Sequence, residues 1–214
     1  MTARFKAQYL FLTILIASTL LIFTSAFVKP QRSVKSPDQT DSTTGILLYS
    51  FTTMKPELSI YGLQIHNLDN HTKSQLTLMR SQETPDLDND SLKTYYYAIR
   101  VPAGEYRFYG WTMSGAGTTY FPKGNFTIPF LVTGASVNYI GDYLAVTKRS
   151  TKFLGMSTPE GGFFVVSNRY ESHYELIQNK FPDLKNWRVL DALPNFIESN
   201  SKYSGMFLEG INTP

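Results

Sequence analysis

Asp86, Asp88 and Asp90 stand at alternate positions of DLDNDS, the acidic spacing that opens a calcium loop, because a hard cation takes several carboxylate oxygens from one turn. The rest of that pattern is missing. Ser91 stands where the turn glycine belongs and Tyr97 where the bidentate glutamate belongs, so a solvated acidic loop is the better reading, and cation binding by the three carboxylates is left open. His66, Asp69 and His71 in HNLDNH carry metal-ligating groups, but no regular element converges them and a surface loop is expected.

Nucleophilic chemistry fares no better. No Gly-x-Ser-x-Gly occurs, and only His66, His71 and His173 are available as a base. Ser199 and Lys202 satisfy a Ser-x-x-Lys spacing without the SDN and KTG partners that such enzymes use, so chance accounts for it. SGAGTT, from Ser114 to Thr119, is glycine-rich but lacks the lysine of a phosphate loop, and reads as a hairpin tip. The sequence therefore assigns no catalytic, cofactor or metal residue, and the expectation is a protein that is not an enzyme.

What remains is aromatic. Tyr95, Tyr96, Tyr97, Tyr109, Trp111, Tyr120 and Phe121 can pack a core or form a stacking surface for a sugar or a protein. Tyr109 and Trp111 are the binding candidates. Strict alternation sends Tyr106 and Phe108 to one face of their strand and Arg107, Tyr109 and Trp111 to the other, which can lie outside the core. The alternative for both is a second buried face beneath a terminal helix.

The elements that position these residues read as strands. ILLYSFTT after Gly45, LSIYGLQIHNL, SQLTLMR and FFVV from Phe163 are short, rich in residues suited to a pleated surface, and separated by turn signals. TYYYAIRVPAGEYRFYGW is a strand–turn–strand unit in which Val101 to Gly104 fit a type I turn; FTIPFLVTGASVNYIGDYLAV repeats the plan around Thr133 and Gly134. Pro129 cannot donate to a ladder and marks an edge or a bulge. Tyr170, Tyr174, Ile177 and Phe181 recur at helical spacing, with Asn168 as cap and Pro182 as stop, so one helix should dock on the sheets. The expected fold is mainly β: an antiparallel sandwich of roughly seven strands over residues 45–166. The helix completes a domain spanning 45–190, and an irregular tail from 191 to 214 follows it.

The segments VPAGEYRFYGW and FTIPFLVTGASVNYIGDYLA, within residues 94–146, resemble the pattern of bacterial envelope proteins with a transthyretin-like or carboxypeptidase-regulatory-like sandwich. The resemblance implies a prealbumin-type fold and an accessory role. It brings no catalytic residue with it.

Arg4 and Lys6 precede an apolar run from Tyr9 to Phe23, and Thr24-Ser25-Ala26 supplies the small residues of a signal-peptidase site. Residues 1–28 are thus a signal peptide, cleaved after Ala26, or a retained anchor, since the run can be extended to about 20 residues. The polar, proline-containing stretch 29–44 reads as a linker. Export to the periplasm, or to the periplasmic face of the inner membrane, follows as the expected location. There is no cysteine among the 214 residues, which excludes disulfides, thiolate metal sites and a lipidated anchor. Beyond the leader, 18 basic residues face 17 acidic ones, a balance that gives no reason to expect nucleic acid. Asn70, Asn89 and Asn125 open glycosylation sequons, relevant only in a eukaryotic secretory pathway. The expected partners are another envelope protein or a glycan, with the membrane added if the leader stays.

Overall fold

The computed structural model describes residues 41–55, 58, 60–68, 75–80, 84–115, 117–151, 157–196 and 204–210. The expected leader, most of the linker, Asp69, His71 and the Ser199–Lys202 pair lie outside the described residues. Among the described residues, twelve strands and one α-helix follow in order: β1 (Thr44–Met54), β2 (Ile60–Asn67), β3 (Gln75–Arg80), β4 (Leu87–Asp88), β5 (Leu92–Pro102), β6 (Gly104–Gly115), β7 (Thr118–Tyr120), β8 (Ile128–Val132), β9 (Val137–Thr151), β10 (Ser157–Ser167), α1 (Tyr174–Lys180), β11 (Val189–Asp191) and β12 (Met206–Leu208). The first sheet runs β12-β10-β9-β1-β5-β4, with β11 also on β9; the second runs β3-β2-β6-β7, with β8 also on β6.

β1 explains why the first sheet needs cover on both faces. Its ILLYSFT run is apolar or small without interruption, and every residue from Gly45 to Thr53 is buried or nearly so. Leu47, Tyr49 and Phe51 enter the core between the sheets, where they meet Tyr97, Tyr143 and Phe164 of their own sheet and Tyr61, Leu63, Phe108 and Phe130 of the other. Each such side chain contributes about 1.5–3 kcal/mol through burial. Ile46 and Leu48 point the opposite way, into a second core with Tyr96, Ala98, Val137 and Tyr139, closed by Ile177 and Phe181 of the helical segment and by Leu184 and Trp187 after it.

The two strand–turn–strand units are present, but neither is a hairpin. β5 belongs to the first sheet and β6 to the second, so Pro102–Gly104 carries the chain across the sandwich; β8 and β9 are divided in the same way. The Tyr106 hydroxyl donates to Pro102 O at 2.9 Å and fixes the first crossing. In the second, the wholly buried Asn138 side chain accepts from Thr133 N and donates to Thr133 O, each at 2.9 Å. A Cβ on Gly134 would collide with the Ser42 backbone. Pro129 does sit on an edge strand, opposite Arg107.

Two boundaries differ from expectation. Asp41 accepts hydrogen bonds from the Thr43 amide and the Thr44 hydroxyl, which orders the chain before β1 rather than leaving a linker up to residue 44. The segment after residue 190, expected to be irregular, supplies β12 and buries Phe196 and Met206 in the main core. Weak periodicity concealed it, because a three-residue strand shows no repeat. The helical segment begins with a 3-10 turn at Glu171–His173, and Asn168 accepts from the Tyr170 amide at 3.2 Å near its start.

Candidate functional site

The face assigned to Trp111 requires a correction, and a bulge is the cause. β2 and β6 pair with a register shift in which Gln64 faces Gly110 and Ile65 faces Phe108, so Tyr109 is the extra residue. One inserted residue reverses the parity of everything after it. Tyr106 and Phe108 face the core before the bulge, and Trp111 and Met113 face the same core after it. Tyr109, like Arg107, stays on the outer face of the second sheet, half-buried, its ring 6.5 Å from that of His66. Partial burial raises its phenol pKa. The terminal helix covers the first sheet, so neither Tyr109 nor Trp111 lies beneath it.

Trp111 reaches a surface groove by another route. Its indole N–H donates to Ser204 O at 2.6 Å, and its ring packs edge-on to Phe164 at 5.8 Å. Gly205 follows at φ +59°, and a Cβ there would stand 2.9 Å from the indole. Trp111 thereby props the entry to β12. It also floors a groove of about 480 Å³ that Tyr120, Phe121, Phe163 and Phe207 line with it, with Lys148 and Glu160 at the mouth.

Each wall has a local reason. The β6–β7 hairpin brings Tyr120 against β10, where its hydroxyl donates to Pro159 O at 2.6 Å and joins the two sheets. Phe121 follows on a proline-containing loop and is 61% exposed. Phe163 and Phe207 meet edge-on at 5.7 Å, and the Lys148 ammonium sits 5.3 Å from the Phe163 ring centre. Gly161 adds no side chain to this wall, and a Cβ on Gly162 would meet Met113 Sδ and Val146 O at 2.6 Å in the interior. Exposed rings beside a cation and a carboxylate suit noncovalent recognition by stacking, apolar contact and charge.

A second polar centre lies on the other side of the first sheet. Asp142 is 1% exposed; Ser50 and Thr52 both donate to its Oδ1 at 2.8 Å, and Arg169 Nε stands 3.6 Å from Oδ2. Burial raises the Asp142 pKa against the opposing pull of these groups, and burial lowers that of His173. Asp142 Oδ2, the Tyr96 hydroxyl and His173 Nδ1 are buried without a hydrogen-bond partner among the described residues. His173, one of the three histidines available as a base, packs edge-on against Tyr96 at 5.6 Å.

The acidic loop is divided among different partners. Asp86 Oδ2 accepts from Lys180 Nζ at 2.5 Å and from the Tyr96 amide at 2.8 Å, while Asp88 pairs with Lys55 at 2.6 Å and Asp90 is exposed. Their carboxylates do not converge, and among the described residues no three His, Asp or Glu side chains are grouped as a metal site. Sequence reasoning included Tyr120 and Phe121 in its aromatic group but missed Phe163, Phe207 and Lys148. The adjacent aromatics of GGFFVV beside a glycine pair were the available signal.

No family model matches the chain. It is 27% identical over 226 residues to the RNA-directed RNA polymerase of Rotavirus C (strain RVC/Pig/United States/Cowden/1980), a match taking in 90% of this chain and 20% of the polymerase. The chain spans about a fifth of that protein's length, and the match transfers no activity. Among solved structures it is similar to a "Putative cell adhesion protein" from Parabacteroides distasonis ATCC 8503, with TM-score 0.33, 13% identity, and coverage of 58% of this chain and 41% of that one. A likeness of that size assigns neither fold nor role. The two-sheet, mainly β architecture therefore rests on the strand pairing itself, and no family model supports the transthyretin-like resemblance.

Proposed function

We propose that this chain is an exported binding module of the cell envelope, which seats its ligand in the groove floored by Trp111 and turns over no substrate. The observation that carries the reading is the groove: five aromatic side chains, one of them 61% exposed, gathered at a junction of the two sheets beside Lys148 and Glu160. Apolar rings gathered into one exposed patch mark a contact surface, whereas a single exposed ring does not. The export half of the reading comes from Arg4, Lys6 and the apolar run through Phe23. A hydrolase would need a nucleophile or metal with an oriented base at the same place. The groove brings a carboxylate and ammonium groups together with rings, and among the described residues no histidine, serine or threonine lines it.

Two measurements test the proposal. Fractionation of cells expressing the full chain with a C-terminal tag should place it in the envelope; recovery of full-length chain in the soluble cytoplasm would refute export. In-cell crosslinking should recover a partner that is lost with Phe121→Ser, a substitution at an exposed site that leaves folding intact. Turnover of peptide, ester or glycan substrates by the purified chain would overturn the non-enzymatic half.

A further inference from the structure

We propose that the buried polar centre on the outer face of the first sheet is a binding site for a single water molecule, which ties the helical cover to the sheet through Asp142, Tyr96 and His173. Strand register puts the sheet groups in one row. Ser50 of β1 lies opposite Tyr96 of β5 on one side and Asp142 of β9 on the other, so the three side chains share a face. The 3-10 turn then lays the His173 ring edge-on against Tyr96, with 5.6 Å between ring centres. Burial, and after it the Asp142 charge, raise the Tyr96 phenol pKa; burial lowers that of His173 against the pull of the same carboxylate. Both groups therefore lie within its field.

Most polar groups around this row have partners. Asp142 Oδ1 accepts from Ser50 and Thr52 at 2.8 Å, the Thr52 and Thr94 hydroxyls pair at 2.9 Å, and the Tyr139 hydroxyl accepts from the Arg169 amide at 3.3 Å. Arg169 does not complete Asp142: its Nε donates to Ser167 Oγ at 3.1 Å and stays 3.6 Å from Oδ2, beyond hydrogen-bond reach. Asp142 Oδ2, the Tyr96 hydroxyl and His173 Nδ1 are left, each buried and without a partner among the described residues. Three separate orphans would each carry the full cost of desolvation, whereas one shared occupant relieves all three. The charges select the occupant. A metal cation would sit beside the Arg169 guanidinium with one carboxylate and one imidazole to hold it, and an anion would face Asp142. A small neutral molecule that both donates and accepts fits. It accepts from the Tyr96 hydroxyl and donates to Asp142 Oδ2 and His173 Nδ1, the three bonds typical of a buried water.

The test is a crystal structure of the protein as recovered from expressing cells, at a resolution that shows ordered water, together with urea unfolding of the same material and of its Tyr96→Phe variant. The expected result is one water peak within about 3.2 Å of all three atoms. Tyr96→Phe should then lower the ratio of folded to unfolded chain roughly five- to thirtyfold, because the water loses its donor. Bare groups predict the opposite sign, since deleting an unsatisfied buried hydroxyl raises that ratio. A direct Tyr96–Asp142 hydrogen bond, a metal ion, or no density between the three atoms overturns the proposal. An unchanged or higher urea midpoint in Tyr96→Phe does the same. If that variant does not fold, the crystal structure of the parent decides alone.

Discussion

Trp111 and Gly205 are expected to be energetically coupled, and the coupling can be worked from their contact. Trp111→Ala should cost about 3–5 kcal/mol, the usual range for deleting a buried aromatic. Trp111→Phe should cost about 1–3 kcal/mol through Ser204 O alone, which loses the donor now 2.6 Å away. Gly205→Ala carries two penalties. Its φ of +59° disfavours a Cβ by about 1–2 kcal/mol. The new methyl also meets the indole at 2.9–3.3 Å, against a ring that its hydrogen bond holds in place, for about 1–3 kcal/mol more. With Trp111→Ala already present, that collision disappears and Gly205→Ala should cost only the conformational part. The double variant is thus expected to be more stable than the sum of the singles by about 1–3 kcal/mol. Urea unfolding followed by far-ultraviolet circular dichroism reads this directly, provided the slope of the transition is unchanged. Additivity within about 0.5 kcal/mol would refute the contact.

Other expectations follow from the outer face of the first sheet and from the crossings. The Asp142 pKa is raised by burial, so the folded state holds that proton more tightly; stability is fully present below the unfolded value near 3.8 and declines as pH rises through the folded one. The pKa of His173 is lowered, so its contribution runs the other way and grows as pH rises toward 6.5. Melting temperature against pH should show the stability of the parent relative to Asp142→Asn falling with pH, and that relative to His173→Gln rising; parallel curves would remove both groups from the balance. Lys180→Ala should cost about 1–3 kcal/mol and speed amide exchange in α1, because Asp86 and Tyr96 O lose a shared donor. Tyr106→Phe should cost about 1 kcal/mol in urea unfolding by freeing Pro102 O at the first crossing.

Much of the strand content was legible because the strands are long and dense in β-branched and aromatic residues, as in ILLYSFTT and TYYYAIRV. The turn at Val101–Gly104 was legible too, from the conformational demands of proline and glycine. Its consequence was not, since a tight turn joins partners within one sheet or passes between two sheets with the same local chemistry; Tyr106, bound back to Pro102, is the element that decides. Alternation failed at Tyr109 because a bulge leaves only the neighbouring Gly110 as a trace. The groove draws on β6, β7, β10 and β12, and residues as distant as Trp111 and Ser204 meet only after both sheets form. Local patterns could name its rings but not gather them.

The position of β1 governs when this chain can become stable. β1 lies at the centre of the first sheet, with β5 along one side and β9, parallel to it, along the other. The Ser50–Asp142 bond joins residues 92 apart. During synthesis a chain ending before β9 holds its most apolar strand with one side unpaired and its outer face uncovered, so no stable sandwich precedes completion of the C-terminal half. Stability thus arrives late and nearly at once. Under the export proposed above, unfolded passage through a channel suits this order, because the topology postpones the core until β9 and the helix that covers the first sheet have been made.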